Sequence, residues 1–192
     1  MTTKEESKTL NGYCSENIKE NETFSNLNNQ MKILFIQTGG TIDKDYPKSV
    51  KGYAFEIGEP AVKRILEKIK PSFDYEILPL IKKDSIELTE DDRRKLYEVC
   101  ANADANKIII THGTDTIIET AEYISGIRNK TIILTGAFKP ERFKDSDAEF
   151  NVGAATGAVS PLGPGVYVCM NGRISLWNKV KRDKEGKFIH ED

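Results

Sequence analysis

Two short stretches of this chain carry residue types that could do chemistry. Thr38-Gly39-Gly40-Thr41 sets a hydroxyl immediately beyond two adjacent glycines, and Thr111-His112-Gly113-Thr114-Asp115-Thr116 sets another beside a carboxylate. A threonine hydroxyl is a poor nucleophile at neutral pH and needs a base or a neighbour that lowers its pKa. Backbone N–H groups around Gly39-Gly40 and Gly113 are candidate donors to an oxyanion. A hydroxyl, a carboxylate and amide donors together describe acyl transfer from an amide or ester. The chain has only two histidines, His112 and His190, which excludes a His-rich zinc site. No cofactor motif is visible, so the expectation is hydrolysis by protein groups alone, with no metal and no cofactor. Each residue also has a plainer reading. His112 before a glycine reads as a satisfied turn residue, and Thr116 with Glu119 as a capping box.

These groups can meet only if the elements that carry them share an edge. Ile33-Leu34-Phe35-Ile36 is an apolar run of the kind that fills a strand buried on both faces. Tyr75 to Leu80, Lys107 to Thr111, Thr131 to Leu134 and Gly165 to Met170 read as further strands, with Ile81 to Leu88 as a loop. Between them lie helical patterns. One opens at Pro60 with Val62, Ile65, Leu66 and Ile69 inward, and one is capped by Thr89. A third carries Ile117, Ala121 and Ile124, and the last spans Asp147 to Val159, with Gly153 and Gly157 suited to close packing on a sheet. Asn171-Gly172 signals a hairpin to Ile174–Trp177. The alternation predicts an α/β fold: a doubly wound, mostly parallel, flavodoxin-like three-layer sheet with an antiparallel edge hairpin. In such a sheet Thr38/Thr41, Thr114-Asp115, and Thr135 with Lys139 all open on one edge, where ligands bind. The polar stretch from Asp43 through Tyr53 reads as a lid loop.

Composition narrows the class. Residues 1–30 are polar and lack periodicity, so they read as a disordered extension before a single domain at 31–192. The formal net charge is -2 with basic residues dispersed, which argues against nucleic acid. Lys179, Lys181, Arg182 and Lys184 read as a solvated face. No apolar run is long enough to span a membrane. Three cysteines without a CxxC pair fit a reducing, cytoplasmic setting.

Thr38-Gly39-Gly40-Thr41-Ile42 taken with Thr111 to Thr116 resembles the paired signature of bacterial-type L-asparaginases and glutaminase-asparaginases. The resemblance covers the amino-terminal domain of that family, whose usual chain is roughly twice as long. It implies Thr41 as nucleophile, Tyr53 as the loop tyrosine that helps activate it, and Ser85 as the holder of the substrate's α-carboxylate. Thr114 and Asp115 match the family's second threonine and the aspartate that binds the substrate's amino group. The resemblance also implies that Gly40 and Gly113 line the substrate. The family pairs its second threonine with a lysine, for which Lys181 and Arg182 are the candidates, and a guanidinium cannot act as a base. Ile86 stands where the family has a substrate-contacting glutamine, and Phe138-Lys139-Pro140 stands where an arginine is usual before the proline. The expectation is an amidohydrolase acting on L-asparagine or a related small amide, within a homo-oligomer. The alternative is a module of the same fold that binds small amino acids without turnover.

Overall fold

The structure, a computed structural model, describes residues 31–47 and 55–191. Both the expected amino-terminal extension and Tyr53 lie outside the described residues.

The first strand, β1 (Lys32–Gly39), ends in a single 3-10 turn at Thr41–Asp43. A short ribbon follows, β2 (Lys44–Asp45) antiparallel to β3 (Glu56–Ile57). The polar stretch read as a lid loop is therefore joined at its base by paired strands. Next come α1 (Ala61–Ile69), β4 (Asp74–Lys83), α2 (Glu90–Asn102) and β5 (Lys107–Thr111). The chain continues through α3 (Ile117–Tyr123), β6 (Thr131–Thr135), α4 (Ala148–Val159), β7 (Gly165–Met170) and β8 (Arg173–Leu176). A second ribbon, β9 (Val180–Arg182) with β10 (Phe188–His190), completes it.

The main sheet has the order β4-β1-β5-β6-β7-β8. All neighbours are parallel except β7 and β8. Its five parallel strands thus follow the flavodoxin-like order, which reverses direction between β1 and β5. Alternation along the strands sorts the core into two layers. Leu34, Ile36, Ile108, Ile110, Ile132 and Leu134 pack toward α2 and α3. Ile33, Phe35, Ile109 and Ile133 pack toward α1 and α4. Among the described residues no helix is long and apolar enough to cross a membrane.

Several local expectations change. The fourth strand in chain order runs on to Lys83, so Ile81 is a buried strand residue and not part of a loop. Ile69 is 55% exposed in the last turn of α1, which Lys70 closes by donating its N–H to the Leu66 carbonyl. Gly153 and Gly157 face open space, while Val152, Ala155 and Val159 make the sheet contact. The Thr116 hydroxyl makes no cap and donates instead to the Ser85 carbonyl at 2.8 Å. Thr89 caps α2 as expected, accepting from the Asp92 N–H.

Asp43 anchors the turn that carries Thr41. Its carboxyl is fully buried and accepts the Ala61 N–H at 2.7 Å, standing in as the cap that Pro60 does not supply to α1. Burial pushes its pKa from 3.8 up to about 7, against the lowering effects of the Ala61 N–H and Arg64. Between those two values the folded state keeps the Asp43 proton and the unfolded chain does not, so this group's contribution to stability falls as pH rises from about 4 to about 7. Asp43→Asn is expected to flatten that slope, which is worth on the order of a few kcal/mol, in chemical unfolding measured across the window. An unchanged slope would refute the assignment.

Gly39 has φ +105°, and a Cβ there would lie 2.3 Å from the Lys83 carbonyl oxygen. Gly39→Ala is expected to cost on the order of 1–3 kcal/mol. The urea midpoint reports it, and an unshifted midpoint would mean that the β1–β4 end is free to open.

Candidate active site

The two threonine corners flank the point where the strand order reverses. Thr41 follows the end of β1, and Thr114-Asp115 follow the end of the neighbouring β5. Glycines let the corners touch. Gly40 has φ +82°, and a Cβ on it would sit 2.3 Å from Gly113 Cα. A Cβ on Gly113 would sit 2.5 Å from Ser85 Oγ, and one on Gly136 would sit 2.3 Å from the His112 carbonyl oxygen. The loops after β1, β5 and β6 therefore pack backbone to backbone, and the Ser85 side chain after β4 lies on the Gly113 backbone, as only residues without a side chain allow. This packing sets the turn that carries Thr41 against the loop that carries Thr114 and Asp115, with Ser85 beside Gly113.

Most nearby polar groups are already engaged. Thr38 donates to the Thr111 carbonyl at 2.9 Å, and Thr135 donates to the Cys169 carbonyl at 2.8 Å. Both hydroxyls tie strand ends together. Gly40 N–H donates to the Lys83 carbonyl at 3.0 Å, so in this conformation it cannot serve an oxyanion. His112 is fully buried, with Nδ1 2.7 Å from the Gly113 carbonyl and Nε2 2.9 Å from Thr120 Oγ1. Burial lowers its pKa to about 4, so it is a neutral strut beneath the two corners. The ammonium of Lys139 pairs with Asp145.

Ser85 differs from these. Its Oγ is buried and has no hydrogen-bond partner among the described residues. An orphan hydroxyl in such a place carries a desolvation cost of about 1–3 kcal/mol that a bound polar group would relieve. Thr114 is largely buried, and the Asp115 carboxylate is half exposed.

The cation beside these groups is Arg182. Its Nη1 donates to the Thr114 carbonyl at 3.0 Å and to Asp115 Oδ1 at 2.9 Å. Nε donates to the Gly186 carbonyl at 3.0 Å, and the guanidinium carbon lies 5.4 Å from the centre of the Phe188 ring. Lys181 is directed elsewhere, its Nζ 2.5 Å from Glu191 on the exposed side of the ribbon. Neighbouring residues of a strand face opposite ways, so only one of the two can reach Thr114. The basic cluster read as a solvated face thus divides, with Lys179, Lys181 and Lys184 exposed and Arg182 turned inward. Asp43 and Phe188 had no motif to mark them. The Phe-Ile-His alternation of β10 was the one available signal for the second ribbon.

Comparison with known proteins follows from this geometry. The family model described as "Asparaginase, N-terminal" matches residues 32–188. A glutaminase-asparaginase of Pseudomonas fluorescens is 27% identical over 176 residues, covering 85% of this chain and 48% of that protein. An L-asparaginase of Thermococcus kodakarensis is 30% identical over 160 residues, covering 79% and 48%. The solved structure of the thermostable Thermococcus kodakarensis L-asparaginase matches with a TM-score of 0.71 at 26% identity, over 83% of this chain and 51% of that one. A probable cytoplasmic L-asparaginase of Campylobacter jejuni shares the fold with a TM-score of 0.68 at 23% identity, over 80% and 50%. The chain spans about half the length of the curated relatives it matches. With one family match running from the first strand to the last and the strand-end corners meeting at the reversal of the sheet, the chain belongs to the asparaginase N-terminal family.

Proposed function

We propose that this chain is an asparaginase-like amidohydrolase that cleaves the side-chain amide of L-asparagine or a related small amide. The observation that supports this reading best is the glycine contact between Gly40 and Gly113, which sets the turn bearing Thr41 against the loop bearing Thr114. In the proposed reaction Thr41 Oγ attacks the amide carbon, and ammonia leaves with the proton lost by the hydroxyl. Water then cleaves the acyl-threonine ester to give the free acid. Tyr53 is assigned the supporting role at Thr41. Ser85 Oγ is the donor for the substrate's α-carboxylate, and Asp115 is the acceptor for its ammonium. Gly113 gives the ligand close access to the backbone. Lys181 takes no part, and Arg182 supplies fixed positive charge beside Thr114.

Arg182 also favours a second reading, a module that binds small amino acids without turnover. A guanidinium cannot accept a proton from Thr114, and here it already holds the carboxylate assigned to substrate. Buried free thiols at Cys100 and Cys169 support a reducing, cytoplasmic setting. Assembly as a homo-oligomer is part of the proposal, to be read from solution mass.

Ammonia release from L-asparagine by the purified protein is the deciding measurement. Thr41→Ala and Thr114→Val are each expected to lower it about 100-fold or more. Undiminished release in both variants would overturn the mechanism, and thermal stabilisation by aspartate without ammonia release would select the binding module. Arg182→Lys, which supplies a group able to accept a proton, is expected to raise kcat about 10-fold and add a basic limb to the pH–rate profile. A loss of rate would show that fixed charge is what the site needs.

A further inference from the structure

The proposed reaction gives no task to His112, although its fully buried ring is bonded to the Gly113 backbone. The Gly113 carbonyl can only accept, so Nδ1 carries the hydrogen of that 2.7 Å bond. Burial keeps the imidazole neutral, with a pKa of about 4, so Nε2 carries no hydrogen and must accept. The Thr120 hydroxyl, 2.9 Å away, is therefore the donor to Nε2. Thr120 Oγ1 in turn accepts from Arg93, whose Nε donates to it at 3.1 Å. These bonds form a chain with one direction, from Arg93 on α2 through Thr120 on α3 and His112 to the Gly113 carbonyl. The chain cannot reverse, because a guanidinium has no acceptor and a carbonyl has no hydrogen to give. Arg93 Nη1 also donates to the Leu88 carbonyl at 3.1 Å, at the end of the turn that bears Ser85.

We propose that Arg93 and Thr120 are positioning residues that act through His112 to fix the peptide between Gly113 and Thr114. In a trans peptide the C=O and N–H point opposite ways, so holding the Gly113 carbonyl also sets the direction of the Thr114 N–H. An N–H fixed at that corner is a donor of the kind a developing oxyanion requires, and such donors act by being oriented beforehand. On the far side of the same residue, Arg182 Nη1 holds the Thr114 carbonyl at 3.0 Å. Both peptide planes that meet at Thr114 are thus pinned, one by buried His112 and one by the second ribbon. The consequence for rate rests on the amidohydrolase reading, whereas the positioning itself does not.

Imidazole nitrogen resonances of the full-length protein test the direction, with His190→Gln separating the two histidines. His112 is expected as the Nδ1–H tautomer at neutral pH, and an Nε2–H tautomer would overturn the chain. Thr120→Val removes the hydroxyl with little change of volume. It is expected to shift the Thr114 backbone amide resonance and to lower kcat for ammonia release about 10-fold at nearly unchanged KM. Thr120→Ser keeps the hydroxyl and is expected to restore both. A Thr114 resonance unmoved by Thr120→Val, or Thr120→Ser as slow as Thr120→Val, would overturn the positioning role. Arg93→Met keeps the apolar stem and removes the donor, so it is expected to move the same resonance. An unmoved resonance in that variant would overturn the part given to Arg93, whether or not Thr120→Val folds. Absence of ammonia release from the unsubstituted protein would refute the amidohydrolase reading alone, because the tautomer and the Thr114 resonance decide this proposal without turnover.

Discussion

The site depends on backbone meeting backbone where side chains would ordinarily intervene. Gly39 against Lys83, Gly40 against Gly113, Gly113 against Ser85 and Gly136 against His112 are contacts that leave no room for a Cβ. Four loops that would otherwise be held apart by side-chain volume are drawn together at the carboxyl edge of the sheet. The sheet order makes this possible, because the first and third parallel strands are neighbours and their connections leave in opposite directions. The strands place the corners side by side, and the glycines let them close.

Closing the corners uses up hydrogen-bonding capacity, and the pattern of use separates structure from chemistry. Thr38, Thr135, Thr116 and His112 all give their polar atoms to carbonyls or hydroxyls of neighbouring strands, turns and helix. Such bonds offset the burial of the loop backbone. Ser85 Oγ breaks the pattern as a buried hydroxyl left unpaired in the same packing. A buried polar atom without a partner is costly, and it is tolerated where a ligand supplies the missing bond.

The parts of the fold that were legible in the sequence are those where burial alone dictates residue type. Ile108 to Ile110 and Ile132 to Leu134 are apolar without interruption because both faces of their strands are covered. Lys82 and Lys83 hid the end of β4, which lies at an edge of the sheet and tolerates charge. Gly153 and Gly157 misled because small and apolar residues are spread around α4, so its composition does not say which face meets the sheet. Thr116 and Glu119 matched a capping pattern, but in the folded chain the Thr116 hydroxyl is turned to donate to the Ser85 carbonyl and accepts nothing from the start of α3. The choice between Lys181 and Arg182 turned on a register of one residue. That register is set by the pairing of β9 with β10 through Phe188 and Arg182, a contact no local pattern announces.

That last pairing makes the second ribbon part of the site. Arg182 is held by the Gly186 carbonyl within the ribbon, by the Phe188 ring across it, and by Thr114 and Asp115 beyond it. An arginine fixed from three directions is not a mobile surface charge, and its planar fork suits it to this arrangement better than a lysine. It follows that the ribbon's geometry and the charge beside Thr114 cannot change independently. A shift of β10 displaces Phe188, and with it the face on which the guanidinium rests.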